Sequence, residues 1–119
     1  MFAGDRADAR GIAALKSASD EPMLPLPSFL SMLPGNVAPE AASIDVPIFL
    51  GVGDRDIVGP PGQIPGAFSH SPSVELHMMP ATGHSHFLFA SRLALFDAIA
   101  VWARSVTRKC AEAVDPTIR

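Results

Sequence analysis

The sequence predicts an α/β protein organised around a parallel sheet, on three observations. "IDVPIFLGVG", residues 44–53, is a continuous apolar run rather than an alternating one, the pattern of a strand covered on both faces. "SVELHMMP", residues 73–80, reads as a second strand with Val74, Leu76 and Met78 on one face. Leu95, Ile99, Trp102 and Val106 then fall at i, i+4, i+7 and i+11, the apolar stripe of an amphipathic helix. The 20 residues from 54 to 73 are enough for the crossover that parallel neighbours require.

In chain order, residues 1–21 support at most a weak helix. "ADARGIAALKSA" holds helix formers, but Gly11 interrupts it and its apolar stripe is thin. Residues 22–39 carry five prolines among Met23, Leu24, Leu26, Phe29, Leu30, Met32 and Leu33. That proline density forbids a regular helix or central strand, and the apolar content suits a packed loop or small lid better than a linker. Pro47 is expected at the start of the first strand, where a missing N–H is tolerated. "GDRDIVGPPGQIPG" reads as loop, with three prolines and four glycines in fourteen residues, and a short helix is allowed near residues 65–70. "ATGHSHF" reads as a second loop, and from about Phe87 the pattern turns helical. From Lys109 onward the chain reads as a frayed tail, with Pro116 preventing a long extension. The resulting division is an irregular, cap-like or linker segment over 1–43, an α/β unit over 44–108, and a tail over 109–119.

With 119 residues the chain fits one domain with a modest core. Its formal charge of −3 and scattered Lys and Arg argue against nucleic-acid or anionic-membrane partners. No stretch approaches a membrane span, and the charged N-terminus does not resemble a secretory signal. A single cysteine, Cys110, excludes an internal disulfide and suits a reducing compartment, so a cytoplasmic location is expected.

In open parallel sheets, chemistry collects in the loops that follow the carboxyl ends of strands. The first such loop offers Asp54 and Asp56, the second His84 and His86. Adjacent parallel strands bring both loops to the same sheet edge. There an aspartate can hold one imidazole nitrogen, fix the tautomer, and leave the other nitrogen as a base.

Strand, Gly53-Asp54-Arg55-Asp56, some 28 residues, a second strand, Gly83-His84 and a final helix together resemble the C-terminal end of an α/β-hydrolase. The resemblance covers roughly residues 44–106. It implies a partial α/β-hydrolase fold, comprising the last two parallel strands and the C-terminal helix, with the Pro-rich segment as a cap remnant. It also implies Asp56 as the orienting acid and His84 as the general base. Family spacing favours Asp56 over Asp54, whose plainer reading is a solvated turn residue or cap. His84 is favoured over His86 because it directly follows the small turn residue; His86 is expected to pack under the final helix. His70 and His77 read as surface or satisfied polar groups, and Trp102 as core.

The departure from the family is large. No Gly-x-Ser-x-Gly occurs, and the nearest approach, Gly83-His84-Ser85-His86-Phe87, lies after the acid rather than before it. The oxyanion-hole segment is likewise missing. The expected reaction is hydrolysis of a hydrophobic ester or a related acyl or C–X bond, with an upstream segment or partner chain supplying the nucleophile. The alternative from another class is a non-catalytic remnant or interaction module. Asp56, His84 and His86 together offer three potential metal ligands, but a loop context without a further acid argues against a metal, and no cofactor is expected. Cys110 lies in a polar tail with no base beside it, which argues against a nucleophilic role. A two-stranded fragment is marginal in water, so the isolated chain is expected to be poorly soluble, molten or paired.

Overall fold

The computed structural model describes residues 6–18, 33 and 35–114. Their order is helix α1 (Ala9–Ala18), helix α2 (Ala38–Ala42), strand β1 (Ile48–Gly53), a 3-10 segment (Pro61–Ala67), strand β2 (Val74–Met79), a single 3-10 turn (His86–Leu88) and helix α3 (Arg92–Val114). The two strands pair in parallel, with Ile48 opposite Val74 and Gly53 opposite Met79. The chain is therefore an α/β arrangement around two parallel strands. Most of the Pro-rich segment lies outside the described residues, and the lid reading of it is not addressed by them. Its last proline, Pro39, stands in the first turn of α2, where the ring's fixed φ suits a helix start and no donor is lost.

Alternation along the strands divides the sheet into two faces. Phe49, Gly51 and His77 lie beneath α3. Trp102 tilts onto Phe49 with ring centroids 5.7 Å apart, and Phe49 stacks on His77 at 5.9 Å. Leu95 seats over Gly51 so closely that a Cβ there would meet its Cδ1 at 2.7 Å. The helical stripe legible in the sequence thus docks through Leu95 and Trp102. On the opposite face Ile48, Leu50 and Val52 align with Val74, Leu76 and Met78. The crossover is held back to the sheet by the 3-10 segment, which packs on β2 and α2. His70 Nδ1 contacts the Ala42 carbonyl, and the Ser71 hydroxyl lies 2.8 Å from the carbonyl of Val46.

Two boundaries differ from the sequence expectation. The final helix begins at Arg92 rather than near Phe87, because Phe89 adopts an extended conformation (φ −107°, ψ 152°) that separates the 3-10 turn from α3. It then runs past Lys109 at least to Val114, the last described residue. The weak N-terminal helix has a cap and a dock. Asp8 Oδ1 accepts the backbone N–H groups of Arg10 and Gly11, which satisfies two otherwise orphaned donors. Gly11, the helix-weakening residue, is where Leu88 packs: a Cβ there would stand 2.7 Å from Leu88 Cδ2.

The core is small. Among the described residues the buried apolar side chains are Val52, Met79, Leu88, Phe89 and Leu95. Leu93, Phe96, Val101 and Phe87 are each more than half exposed. The Cα radius of gyration, 17.5 Å, exceeds the roughly 13 Å of a compact domain this long. Among the described residues, no helix is long and apolar enough to cross a membrane.

Candidate active site

The site forms where the two strands end side by side, and backbone contacts fasten their loops together. Asp54 N–H donates to Met79 O at 3.0 Å, and Arg55 N–H donates to Thr82 O at 3.1 Å. In return Thr82 N–H donates to Asp54 Oδ1 at 3.1 Å. Gly53 is buried at this junction, and a Cβ on it would run into the Thr82 carbonyl group. Glycine is required there for close approach of one backbone to another. Ala81 takes a positive φ of 52° as the chain turns out of β2.

Thr82 is fully buried. Its hydroxyl donates to Pro80 O at 2.9 Å and lies 2.8 Å from Ser91 Oγ, which ties the second loop to the start of α3. The Asp54 carboxyl is held below its ordinary value, first by backbone N–H donation from Ala81, against an opposing cost of desolvation, and further by Thr82 N–H and the neighbouring Arg55 charge. Asp54 is therefore a loop clamp. Its ionised side chain holds the second loop rather than an imidazole.

Asp56 is the residue that faces the histidines. The turn that presents it is closed by Asp56 N–H donating to Gly53 O at 3.1 Å. Its side chain is only 3% exposed. Oδ1 accepts His84 Nδ1–H at 2.8 Å and the Ile57 N–H at 2.6 Å, and Oδ2 accepts His86 Nε2–H at 3.0 Å. Burial pushes this carboxyl up, but donation from His84, from His86 and from Ile57, with the attraction of His84, outweighs it and leaves the group below its ordinary value. A buried carboxylate with three donors stays ionised and fixed in orientation.

The sequence-designated pair, Asp56 and His84, thus comes together across 28 residues of chain. The His84 side chain is 46% exposed, so the ring sits at the surface of the site with its acid beneath it. His86 departs from expectation. It shares the Asp56 carboxylate instead of merely packing under α3, and its ring lies edge-on to His84 with centroids 6.4 Å apart. The signal for this was the His-x-His spacing itself, which puts two imidazoles within reach of one acceptor. Thr82 carried no sequence signal beyond its place between the strand and the histidine. Among the described residues, no group of three or more His, Cys, Asp or Glu is arranged to hold a metal ion. Cys110 is exposed near the far end of α3, lining an open groove with Pro47, Glu75, Trp102 and Lys109.

No family model, curated protein or solved structure matches the chain.

Proposed function

We propose that the chain is the C-terminal part of an α/β-hydrolase, carrying the acid and base of a nucleophilic triad for hydrolysis of an ester or a related acyl or C–X bond. The observation that carries this reading is the 2.8 Å contact between Asp56 Oδ1 and His84 Nδ1, made between loops that leave the carboxyl ends of two parallel strands. The order of acid loop, strand, histidine and final helix supports it.

With Nδ1–H given to Asp56, Nε2 is the basic nitrogen of neutral His84. In the proposed reaction a serine hydroxyl, supplied from outside these 119 residues, loses its proton to Nε2 as it attacks the carbonyl carbon. Asp56 stabilises the imidazolium that forms. The tetrahedral adduct collapses, His84 returns the proton to the leaving group, and water releases the acyl group in a second cycle. The exposed apolar residues Phe87 and Leu93 near this edge favour a hydrophobic substrate.

The test is ester hydrolysis by the longer in-frame product, compared with the 119-residue chain alone. The longer product is expected to hydrolyse p-nitrophenyl esters and to lose on the order of 10³-fold or more in kcat with His84→Ala or Asp56→Asn. The chain alone is expected to give equal background rates with and without His84. A reading frame that holds no upstream Gly-x-Ser-x-Gly contradicts the proposal. The sparse core and exposed apolar residues favour the second reading, an interaction module, which that outcome would leave standing.

A further inference from the structure

We infer that His86 is a positioning residue for the Asp56–His84 pair: its Nε2–H pins the second oxygen of the carboxylate, so that the first stays directed at His84. This inference rests on the hydrolase reading for its purpose, but on geometry for its content. A carboxylate can rotate about its Cβ–Cγ bond, and a rotation exchanges or misaligns its two oxygens. Oδ1 is held by His84 Nδ1–H at 2.8 Å and Ile57 N–H at 2.6 Å. Oδ2 is held by His86 Nε2–H at 3.0 Å. At 3% exposure the side chain has little water to replace a lost donor, so an unoccupied Oδ2 would draw the carboxylate out of line.

His86 is suited to this support. Its side chain is 24% exposed against 46% for His84, so it is the more enclosed ring of the two. Its backbone is fixed as well: its N–H donates to His84 O at 3.0 Å, and it opens the 3-10 turn His86–Leu88. That turn ends on buried Leu88, which packs against Gly11 of α1 and whose carbonyl accepts Asp8 N–H at 2.6 Å. A line of contacts therefore runs from the N-terminal helix through Leu88 and His86 to Asp56. The two rings donate through different nitrogens. His84 is locked in the Nδ1–H form, the opposite of the form a free histidine side chain favours in water, while His86 takes the Nε2–H form.

That difference supplies the test. The 119-residue chain, labelled with ring-¹⁵N histidine, is examined by long-range ¹H–¹⁵N correlation at about pH 8, where an ordinary imidazole is neutral. The wild type is expected to show His84 as the Nδ1–H tautomer and His86 as the Nε2–H tautomer. In His86→Phe, His84 is expected to shift to a mixture dominated by Nε2–H. In His86→Gln, whose longer amide can still donate to Oδ2, the Nδ1–H form of His84 is expected to be retained, while the shorter His86→Asn should behave like His86→Phe. The His77 resonance, stacked on Phe49, reports whether each variant remains folded. If His86→Phe does not fold, the comparison of His86→Gln with His86→Asn decides. His84 remaining Nδ1–H in both His86→Phe and His86→Asn overturns the inference, as does a wild-type His86 that is not Nε2–H. Because the readout is a tautomer, it is separate from hydrolysis. Failure of the hydrolase reading appears as absent ester turnover in the longer product, with the tautomers unchanged.

Discussion

Replacing Gly53 with alanine is expected to pull the two halves of the site apart. The added Cβ would stand 2.7 Å from the carbonyl carbon of Thr82 and closer still to its oxygen, whereas ordinary contact begins at 3.4 Å. The Thr82 segment therefore has to recede by at least about 0.7 Å, and it is backbone, not the flexible tip of a side chain. The Arg55 N–H to Thr82 O and Thr82 N–H to Asp54 Oδ1 bonds, both 3.1 Å, would lengthen past about 3.8 Å, beyond useful range. Each is worth about 0.5–1.5 kcal/mol, and overpacking adds about 1–3 kcal/mol, so the expected cost is about 2–6 kcal/mol. The assay is amide hydrogen exchange at the paired strand amides, Ile48 and Asp54. A loss of 2 kcal/mol lowers their protection about thirty-fold. Gly62→Ala, where a Cβ meets nothing within 4 Å, is the control. Gly51→Ala should fall between them, since only the tip of the Leu95 side chain obstructs it. Equal protection in Gly53→Ala and Gly62→Ala would show that close approach at Gly53 does not hold the two loops together.

Two further outcomes follow from the polar contacts. Asp56 is held below the ordinary carboxyl value of 3.8, so the fold favours its ionised form: that contribution is complete above pH 3.8 and is lost as pH falls through the lower folded value. Asp56→Asn should abolish this acid-dependent step in strand protection, measured from about pH 5 to about pH 2, and an unchanged acid profile would count against it. Thr82→Val keeps the shape of a fully buried side chain but leaves Pro80 O and Ser91 Oγ without their partner, at a cost of about 1–3 kcal/mol in strand protection, whereas Thr82→Ser should retain most of it.

The parallel strand pair and the Asp56–His84 contact were legible because they depend on simple patterns. The apolar run "IFLGVG" reads as a strand, although the described residues cover it mainly on the α3 side, "VELHMM" alternates, and parallel pairing brings both outgoing loops to one edge whatever their details. The His86 contact with Asp56 was legible only as far as the His-x-His spacing, since the ring's placement depends on a 3-10 turn set by Ser85 and Phe89 backbone angles that no residue type dictates. Asp54 read as a turn residue, while its clamp on Thr82 arises only once the loops meet. Gly11 illustrates a propensity argument overtaken by packing: the glycine that weakens α1 in isolation is what lets Leu88 approach it. The exposed apolar residues of α3 followed from counting layers, since two strands and one long helix cannot cover both sides of every apolar element.

The central claim, that Asp56 and His84 serve a nucleophile, is tested most directly by fluorophosphonate labelling of the longer in-frame product, with the modified residue located by mass spectrometry. One labelled serine is expected, upstream of residue 1 in a Gly-x-Ser-x-Gly context, with labelling that slows on the order of 10³-fold or more in His84→Ala. No labelled serine, or labelling at the same rate without His84, would contradict it.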